Sequence, residues 1–103
     1  MRWRGLKTFA LMAAAMVGTT ATDAAAATLT QVASFGSNPG NIQMFEYVPA
    51  NLAAGRPLVV VIHGCTQSAA DMDDETGWTK WADQYGVALV FPQQQAANNS
   101  SKC

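Results

Sequence analysis

The stretch of sequence that decides the fold is PLVVVIHGCTQ, residues 57–67, in which an apolar run stops at a His-Gly pair. The apolar residues 58–62 are mostly β-branched and contain no polar side chain. Such a run is typical of a strand that is covered on both faces, as in a parallel sheet flanked by helices. We therefore predict a central, buried strand over residues 58–62 that ends at His63 and Gly64.

Two further strands are predicted upstream of this run. Residues 28–35 alternate loosely between apolar and polar side chains, and residues 42–48 alternate more regularly. The turn-forming sequence GSNPGN, residues 36–41, separates them. Two alternating segments joined by a glycine- and proline-rich turn are typical of antiparallel strands. We expect residues 28–35 to form the edge strand of this pair.

A helix is predicted downstream of the decisive stretch. The spacing i, i+3, i+4 and i+7 is shared by Trp78, Trp81, Ala82 and Tyr85. This spacing predicts one buried helical stripe, although an exposed platform that stacks on aromatic esters or sugars is the alternative role of the two tryptophans. The acidic residues 71–75 suit a helix start, and their spacing lacks the glycine and distal glutamate of a calcium-binding hand, so we expect no metal there. Gly86 suits a C-terminal cap.

The remaining residues complete the predicted fold. Residues 87–91 predict a second buried strand that ends at Pro92, and the polar residues 93–102 predict a loop. A strand, a helix and a strand in this order give a parallel crossover. The predicted fold class is therefore α/β, with an antiparallel strand pair followed by a strand-helix-strand parallel unit.

The first part of the chain, residues 1–27, is predicted to be a signal peptide. Its basic start comprises Arg2, Arg4 and Lys7. A short apolar run over residues 8–18 and small-residue cleavage sites over residues 24–27 follow. The run is well short of the roughly 20 residues that cross a bilayer. We expect cleavage near residue 26 or 27, a secreted location that is extracellular or periplasmic, and no membrane attachment of the mature part.

Charge and cysteine content narrow the partners of residues 28–103. Six acidic side chains outnumber three basic ones, which argues against a nucleic-acid partner. Cys65 and Cys103 both follow the export signal, where an oxidising compartment favours a disulfide. Such a bridge would contribute about 3 to 4 kcal/mol, and two free thiols are the alternative. No zinc knuckle or Cys-x-x-Cys redox pair is present in the sequence.

Several motifs between residues 57 and 103 agree with one known pattern. They are HGCTQ at 63–67, GW at 77–78, the ADQYG-VAL-V-P passage at 82–92, and the ending with Q, ANN and a final C. On these motifs the chain resembles the secreted polyhydroxybutyrate depolymerase and feruloyl or acetylxylan esterase family, with weaker agreement over residues 44–49. The resemblance implies the N-terminal part of an α/β-hydrolase fold. It also implies a cofactor-free Ser-His-Asp enzyme that cleaves esters in polyesters or esterified polysaccharides.

The resemblance implies roles for three residues of the HGCTQ motif. In α/β-hydrolases one oxyanion-hole donor is a backbone N–H in the loop after the third strand, and the other follows the nucleophile. The N–H of Cys65 would take the first role, with His63 and Gly64 supporting the loop. Gly64 is expected to allow a sharp turn. The catalytic base comes last along the chain in this fold, so His63 is not expected to be that base.

The nucleophile of the family has no counterpart in this sequence. No G-x-S-x-G motif occurs, and Ser68, Ser100 and Ser101 lack the strand-to-helix turn that would activate a hydroxyl. We expect a chain truncated before the nucleophile elbow, without a catalytic Ser, Asp or His, and inactive alone. An unpaired edge on the third strand would then favour aggregation. The alternative is a small secreted binding or structural module stapled by the cysteine pair, without catalysis.

Overall fold

A computed structural model describes residues 26–103 of the chain, and the predicted signal peptide lies almost entirely outside this range. Within the described range the chain forms strands and helices in the order β1 (Thr30–Gln31), β2 (Gln43–Tyr47), β3 (Leu58–Val60), α1 (Ala69–Thr76), α2 (Trp78–Tyr85) and β4 (Ala88–Gln93). The result is a mixed α/β arrangement with two helices between the third and fourth strands.

The strands form one sheet in the order β1-β2-β4-β3. Strands β1 and β2 pair antiparallel, and β2 pairs antiparallel with β4. Strand β3 pairs parallel with β4, so the predicted antiparallel pair and parallel unit are both confirmed. The first strand is shorter than predicted. Beyond β1, the Val32 N–H donates to the Met44 carbonyl at 2.9 Å, and the chain then turns away at Gly36, where φ is 97°.

The prediction of a central strand over residues 58–62 is wrong for the described part of the chain. Strand β3 lies at an edge of the sheet, and β4 lies between β2 and β3. Leu89 and Phe91 of β4 are fully buried, whereas Leu58, Val60 and Ile62 are 58%, 54% and 71% exposed. The helices contact β4 and cover one face of the sheet only, the face on which Val61 is buried. The apolar run is therefore covered on one face and not on both.

The single predicted helix is divided at Gly77, which has a left-handed φ of 69°. Of the predicted stripe only Ala82 is buried, while Trp78, Trp81 and Tyr85 are 38%, 44% and 59% exposed. The prediction that both tryptophans pack in the core is thus wrong for the described residues. Ala82 belongs to the buried cluster with Leu89 and Phe91 of β4. The rings of Trp81 and Tyr85 stack on each other, with centroids 5.7 Å apart.

Local sequence signals explain the helix ends. The Ser68 hydroxyl accepts from the N–H of Asp71 at 3.2 Å, while the Asp71 carboxylate accepts from the Ser68 N–H at 2.7 Å, so the two residues form a capping box. At the end of α2, the Arg56 guanidinium donates to the carbonyls of Tyr85 and Gly86. A cation is favourable at that negative helix end. Helix α1 therefore begins at its own sequence signal. Helix α2 ends at the predicted cap residue Gly86, which has a left-handed φ of 64°, with the distant arginine bound to its last carbonyls.

Strand β4 continues through Pro92 to Gln93, so the prediction that Pro92 ends it is wrong. In the antiparallel register Pro92 lies opposite Met44. The N–H of Gln94, two residues on, donates to the ring of His63 on the β3 side of the strand. Alternate residues of a strand aim their amides to the same side, so the Pro92 nitrogen also faces that side, beyond the end of β3. A residue without an N–H is tolerated there.

Candidate functional site

A pocket lies where β3 and β4 end at their carboxyl edge. It has a volume of about 220 Å³ and is lined by Ile42, Ile62, His63, Pro92, Gln94 and Cys103. The carboxyl edge of parallel strands is where open α/β sheets bind ligands. The pocket is therefore placed where the sequence predicts a site.

His63 lies at this edge and is 8% exposed. Its Nε2 accepts from the N–H of Gln94 at 2.9 Å, and its Nδ1 lies 2.7 Å from the carbonyl oxygen of Gly64. Because a backbone N–H only donates and a carbonyl only accepts, the ring hydrogen belongs on Nδ1. Both ring nitrogens are thus engaged by backbone groups. The imidazole joins the loop after β3 to the end of β4 and has no nitrogen left for proton transfer.

The backbone amides of residues 64–67 are used unequally. The N–H of Gly64 donates to the side-chain Oε1 of Gln67 at 2.8 Å. The N–H of Thr66 donates to the carbonyl of Ser101 at 2.7 Å, and that of Gln67 donates to Gly64 at 3.3 Å. Among residues 26–103, no acceptor is found for the N–H of Cys65. The amide predicted as oxyanion donor is therefore in a turn, outside the strand ladder, and is the one left without a partner.

The sharp turn occurs at a different residue from the predicted one. Gly64 is not in the left-handed region, whereas Thr66 has a φ of 65°. A β-branched residue in that region is unfavourable by about 1 to 3 kcal/mol, and such strain clusters at functional loops. The glycine at position 64 has a different role, which is to leave room for the Gln67 side chain. A Cβ there would lie 2.8 Å from Oε1 of Gln67, which is closer than real Cβ atoms approach.

The loop is tied to the chain that follows β4. Cys65 and Cys103 form a disulfide over a sequence separation of 38, which confirms the predicted pairing. The Thr66–Ser101 backbone hydrogen bond lies beside it. One covalent bond and one hydrogen bond thus hold the loop at adjacent positions. The Cys103 N–H in turn donates to the Asn99 side chain at 3.3 Å, which orders the segment that carries the second cysteine.

Two titratable groups under the helices have displaced pKa values. The Tyr47 hydroxyl donates to the Asp83 carboxylate at 2.8 Å. Burial first, and then this hydrogen bond and the negative charges of Asp83 and Asp73, raise the pKa of Tyr47 to about 12. Burial, followed by the charge of Asp74, also raises the pKa of Asp73, against a lowering by the hydrogen bond from Thr79. Tyr47 thus joins β2 to α2, and neither Tyr47 nor Asp73 lines the carboxyl-edge pocket.

Ser68 and the acidic run at residues 71–75 have local roles. Ser68 caps α1 and donates its hydroxyl to Asp71 at 2.7 Å, so it is not poised as a nucleophile. The acidic run belongs to α1 itself instead of preceding it. In residues 26–103 no group of three or more His, Cys, Asp or Glu side chains could hold a metal ion. Nor is any helix in that range both long and apolar enough to cross a bilayer.

Sequence reasoning missed three contributors to this site. Gln67 was part of a recognised motif, but nothing in the spacing indicated that its side chain folds back onto Gly64. Gln94 holds the His63 ring through a backbone N–H, which no side-chain pattern can reveal. The strain at Thr66 has no sequence signal either, because threonine is an unusual residue for a positive φ.

Known proteins with similar sequences are ester hydrolases. Residues 42–103 match the family model described as Esterase PHB depolymerase. The chain is 52% identical to poly(3-hydroxyalkanoate) depolymerase C of Paucimonas lemoignei over 75 residues, which are 73% of this chain and 18% of the relative. It is 46% identical to feruloyl esterase B of Talaromyces stipitatus over 67 residues, 65% of this chain and 19% of the relative.

A solved structure agrees with these sequence matches. The acetyl xylan esterase from Aspergillus awamori superposes with a TM-score of 0.60 at 38% identity, over 63% of this chain and 24% of that protein. The chain therefore spans about a fifth to a quarter of the length of these relatives. Since the family model matches more than half of its residues, this chain belongs to the Esterase PHB depolymerase family.

Proposed function

We propose that this chain is the N-terminal, oxyanion-loop portion of a secreted serine esterase that hydrolyses carboxylic esters in polyesters or esterified polysaccharides. The observation that carries the proposal is the amide of Cys65. It lies in the turn after β3, it has no acceptor among residues 26–103, and the disulfide from the same residue runs to a wall of the carboxyl-edge pocket. A backbone N–H without an acceptor at that edge is what an oxyanion hole requires from this loop.

The Cys65 N–H would act on the tetrahedral intermediate of ester cleavage. When a serine hydroxyl attacks the ester carbonyl, the carbonyl oxygen gains negative charge that the ground state does not have. A fixed N–H that meets this oxygen lowers the barrier, because the interaction exists mainly in the transition state. The second donor, the nucleophile, the acid and the base would come from chain segments other than residues 26–103. In this scheme His63 and Gly64 hold the loop and do not touch the substrate.

The chain alone is expected to be inactive, and a simple assay tests this. Expression of residues 28–103 should give no release of p-nitrophenol from p-nitrophenyl butyrate. Turnover that is lost when one of its serines is changed to alanine would place a nucleophile inside the chain and overturn the assignment. Export by residues 1–27 is part of the same proposal, and the disulfide supports it because disulfides persist in oxidising compartments.

A chimaera tests the oxyanion role directly. The matched 75-residue segment of this chain would replace its counterpart in the Paucimonas lemoignei depolymerase, and hydrolysis of p-nitrophenyl butyrate would be measured. We expect the chimaera to be active. In it, Cys65→Pro should lower kcat about 100- to 1,000-fold, because proline has no amide hydrogen to donate.

The matched control is Cys65→Ser in the same chimaera. Serine removes the disulfide, as proline does, but keeps the backbone N–H. Its activity should therefore lie well above that of the proline variant. Equal activities of the two variants, at equal thermal stability, would show that the Cys65 N–H is not the donor.

The disulfide favours a second candidate function, a stapled secreted module without catalysis. Closing a loop of this length contributes about 3 to 4 kcal/mol, a large fraction of the stability of a small domain. Leu58, Val60 and Ile62 argue for the esterase instead, because a self-sufficient module would not expose three large apolar side chains side by side. A cooperative melt of residues 28–103 that collapses on reduction, together with an inactive chimaera, would favour the module.

A further inference from the structure

We infer that Gln67 is a positioning residue whose side chain engages the Gly64 N–H and so leaves Cys65 as the one residue of 64–67 whose backbone N–H has no acceptor among residues 26–103. The inference rests on the proposed function and names the group that prepares its donor. Oε1 of Gln67 accepts from the Gly64 amide at 2.8 Å, while the Gln67 N–H closes the same turn onto the Gly64 carbonyl at 3.3 Å. Gln67 thus binds both backbone polar groups of Gly64: its side chain accepts from the Gly64 N–H, and its own N–H donates to the Gly64 carbonyl.

Gly64 is the residue that most needs holding. It precedes the donor peptide, so the orientation of the Cys65 N–H depends on the dihedral angles of Gly64 and Cys65. Glycine has the widest conformational range of any residue, and a free Gly64 would spread that orientation over many angles. The Gly64 carbonyl accepts from His63 as well as from Gln67, which fixes the plane of the Gly64–Cys65 peptide from its carbonyl side. The N–H on the other side of Gly64 is fixed by Gln67 alone.

A neutral acceptor suits this position. The motif at residues 63–67 carries no acidic side chain. A glutamate at position 67 could accept the same hydrogen bond, but its negative charge would oppose the charge that develops on a nearby oxyanion. Gln67 satisfies the Gly64 N–H without adding charge. It also prevents a second free N–H beside the donor, which could bind water or the substrate oxygen in the wrong place.

The absence of a side chain at position 64 leaves room for the contact between Gln67 and Gly64. A Cβ on Gly64 would lie 2.8 Å from Oε1 of Gln67, and no other atom except Cδ of that side chain comes within 4 Å. Gly64 is not in the left-handed region, so alanine is compatible with its backbone. The conflict of an alanine at position 64 is therefore with Gln67 alone. The two residues should behave as one unit in mutagenesis.

The test measures amide hydrogen exchange by NMR on the full chain. Gln67→Leu removes the acceptor at similar length and should accelerate exchange of the Gly64 amide about tenfold, the equivalent of one net hydrogen bond. Gln67→Glu keeps an acceptor and should restore protection of Gly64. Gln84→Leu, at an exposed position of α2, is the matched control and should leave both amides unchanged. The Cys65 amide should exchange quickly in every variant.

Gly64→Ala gives an independent arm of the same experiment. Alone it should change the Gln67 side-chain amide signals and shift the Cys65 amide resonance, because it displaces Oε1. Combined with Gln67→Leu it should add little, since the two changes break the same contact. Unchanged Gly64 exchange in Gln67→Leu, or a protected Cys65 amide in the unmodified chain, would overturn the inference.

The chimaera with the Paucimonas lemoignei enzyme provides a second measurement for variants that do not fold in the shorter chain. There Gln67→Leu should lower kcat about tenfold with little change in KM, because an oxyanion donor acts in the transition state. A rise in KM with unchanged kcat would contradict the positioning role. The two proposals remain distinguishable: Gly64 exchange reports on Gln67 alone, whereas equal activity of Cys65→Pro and Cys65→Ser would reject the oxyanion role itself.

Discussion

The two faces of the sheet differ in what covers them, although the same strands supply both. On the helix-covered face, Leu89 and Phe91 are fully buried and the Tyr47 hydroxyl reaches Asp83 of α2. On the other face, Leu58 and Val60 are more than half exposed. Both faces carry large apolar side chains, so composition does not distinguish them.

The difference shows where the described residues complete a core and where they do not. Burial of an apolar side chain contributes only if another layer removes it from water. Helices α1 and α2 supply that layer on one face alone. The open face and the free edge of β3 are the surfaces on which an α/β sheet would add helices and further strands. The loop that carries the Cys65 amide lies at the end of this half-covered strand.

Of the substitutions that compare the two faces, truncation of Phe91 should lower the free energy of unfolding the most. Phe91→Ala deletes a fully buried ring and should lower the free energy of unfolding by about 3 to 5 kcal/mol. Domains of this size have little stability to lose, so we expect the urea transition of residues 28–103 to disappear at 25 °C. Far-UV circular dichroism against urea measures it.

Val60→Ala is the matched truncation on the open face. Since Val60 is 54% exposed, the substitution should lower the free energy of unfolding by less than about 1 kcal/mol, and the urea transition should persist. Equal losses in the two variants would mean that the open face is covered in solution, by aggregation or by a second molecule, and would break the comparison.

The pH dependence of Tyr47 tests the covered face in a second way. Its raised pKa, about 12 against an ordinary value near 10, means that the folded chain holds the phenol proton more tightly than the unfolded chain. The protonated phenol therefore contributes to the free energy of unfolding. That contribution is complete below about pH 10, is lost as the pH rises toward 12, and amounts to at most about 2.7 kcal/mol. We expect the urea midpoint to fall between pH 8 and pH 11.

Tyr47→Phe separates this effect from every other titrating group. The variant lacks the phenol but keeps the rest of the chain, so its midpoint should fall less over the same pH interval. Identical pH profiles in the two proteins would show that the hydroxyl is not buried against Asp83.

The sequence predicted the strands and their pairing because these depend on local patterns. Alternation over residues 42–48 and the β-branched run at 58–62 both mark strands that the structure contains. Neither pattern shows how many neighbours a strand has. The run at 58–62 was therefore predicted to be central, whereas β4, whose apolar run at 87–91 has the same length, takes that place. The prediction of a buried stripe on α2 was wrong for the same reason. Helical spacing identifies which residues share a face, but not whether another element packs against that face.

The candidate site also has features that the sequence predicted and features that it did not. Motif resemblance was enough to choose the HGCTQ loop, and the two cysteines that follow the predicted export signal were enough to pair Cys65 with Cys103. The hydrogen bonds that hold this loop involve Gln67, Gln94 and Ser101, two of which lie far along the chain. Such contacts follow from the path of the backbone in three dimensions. No spacing rule within a short motif could have predicted them.

Val60→Thr should change the unfolding free energy of residues 28–103 the least. The same substitution should be the most informative one in the longer chimaera. Threonine has nearly the shape of valine, and at a half-exposed position water solvates its hydroxyl, so the unfolding free energy of residues 28–103 should change by less than about 0.5 kcal/mol. In the chimaera, further elements are expected to cover that face. A buried hydroxyl without a partner then costs about 1 to 3 kcal/mol. Thermal or urea unfolding of both proteins, each with and without the substitution, measures the difference. An equally small cost in both would mean that the face of Val60 stays open even in the longer protein, and that its apolar side chains serve something other than the core.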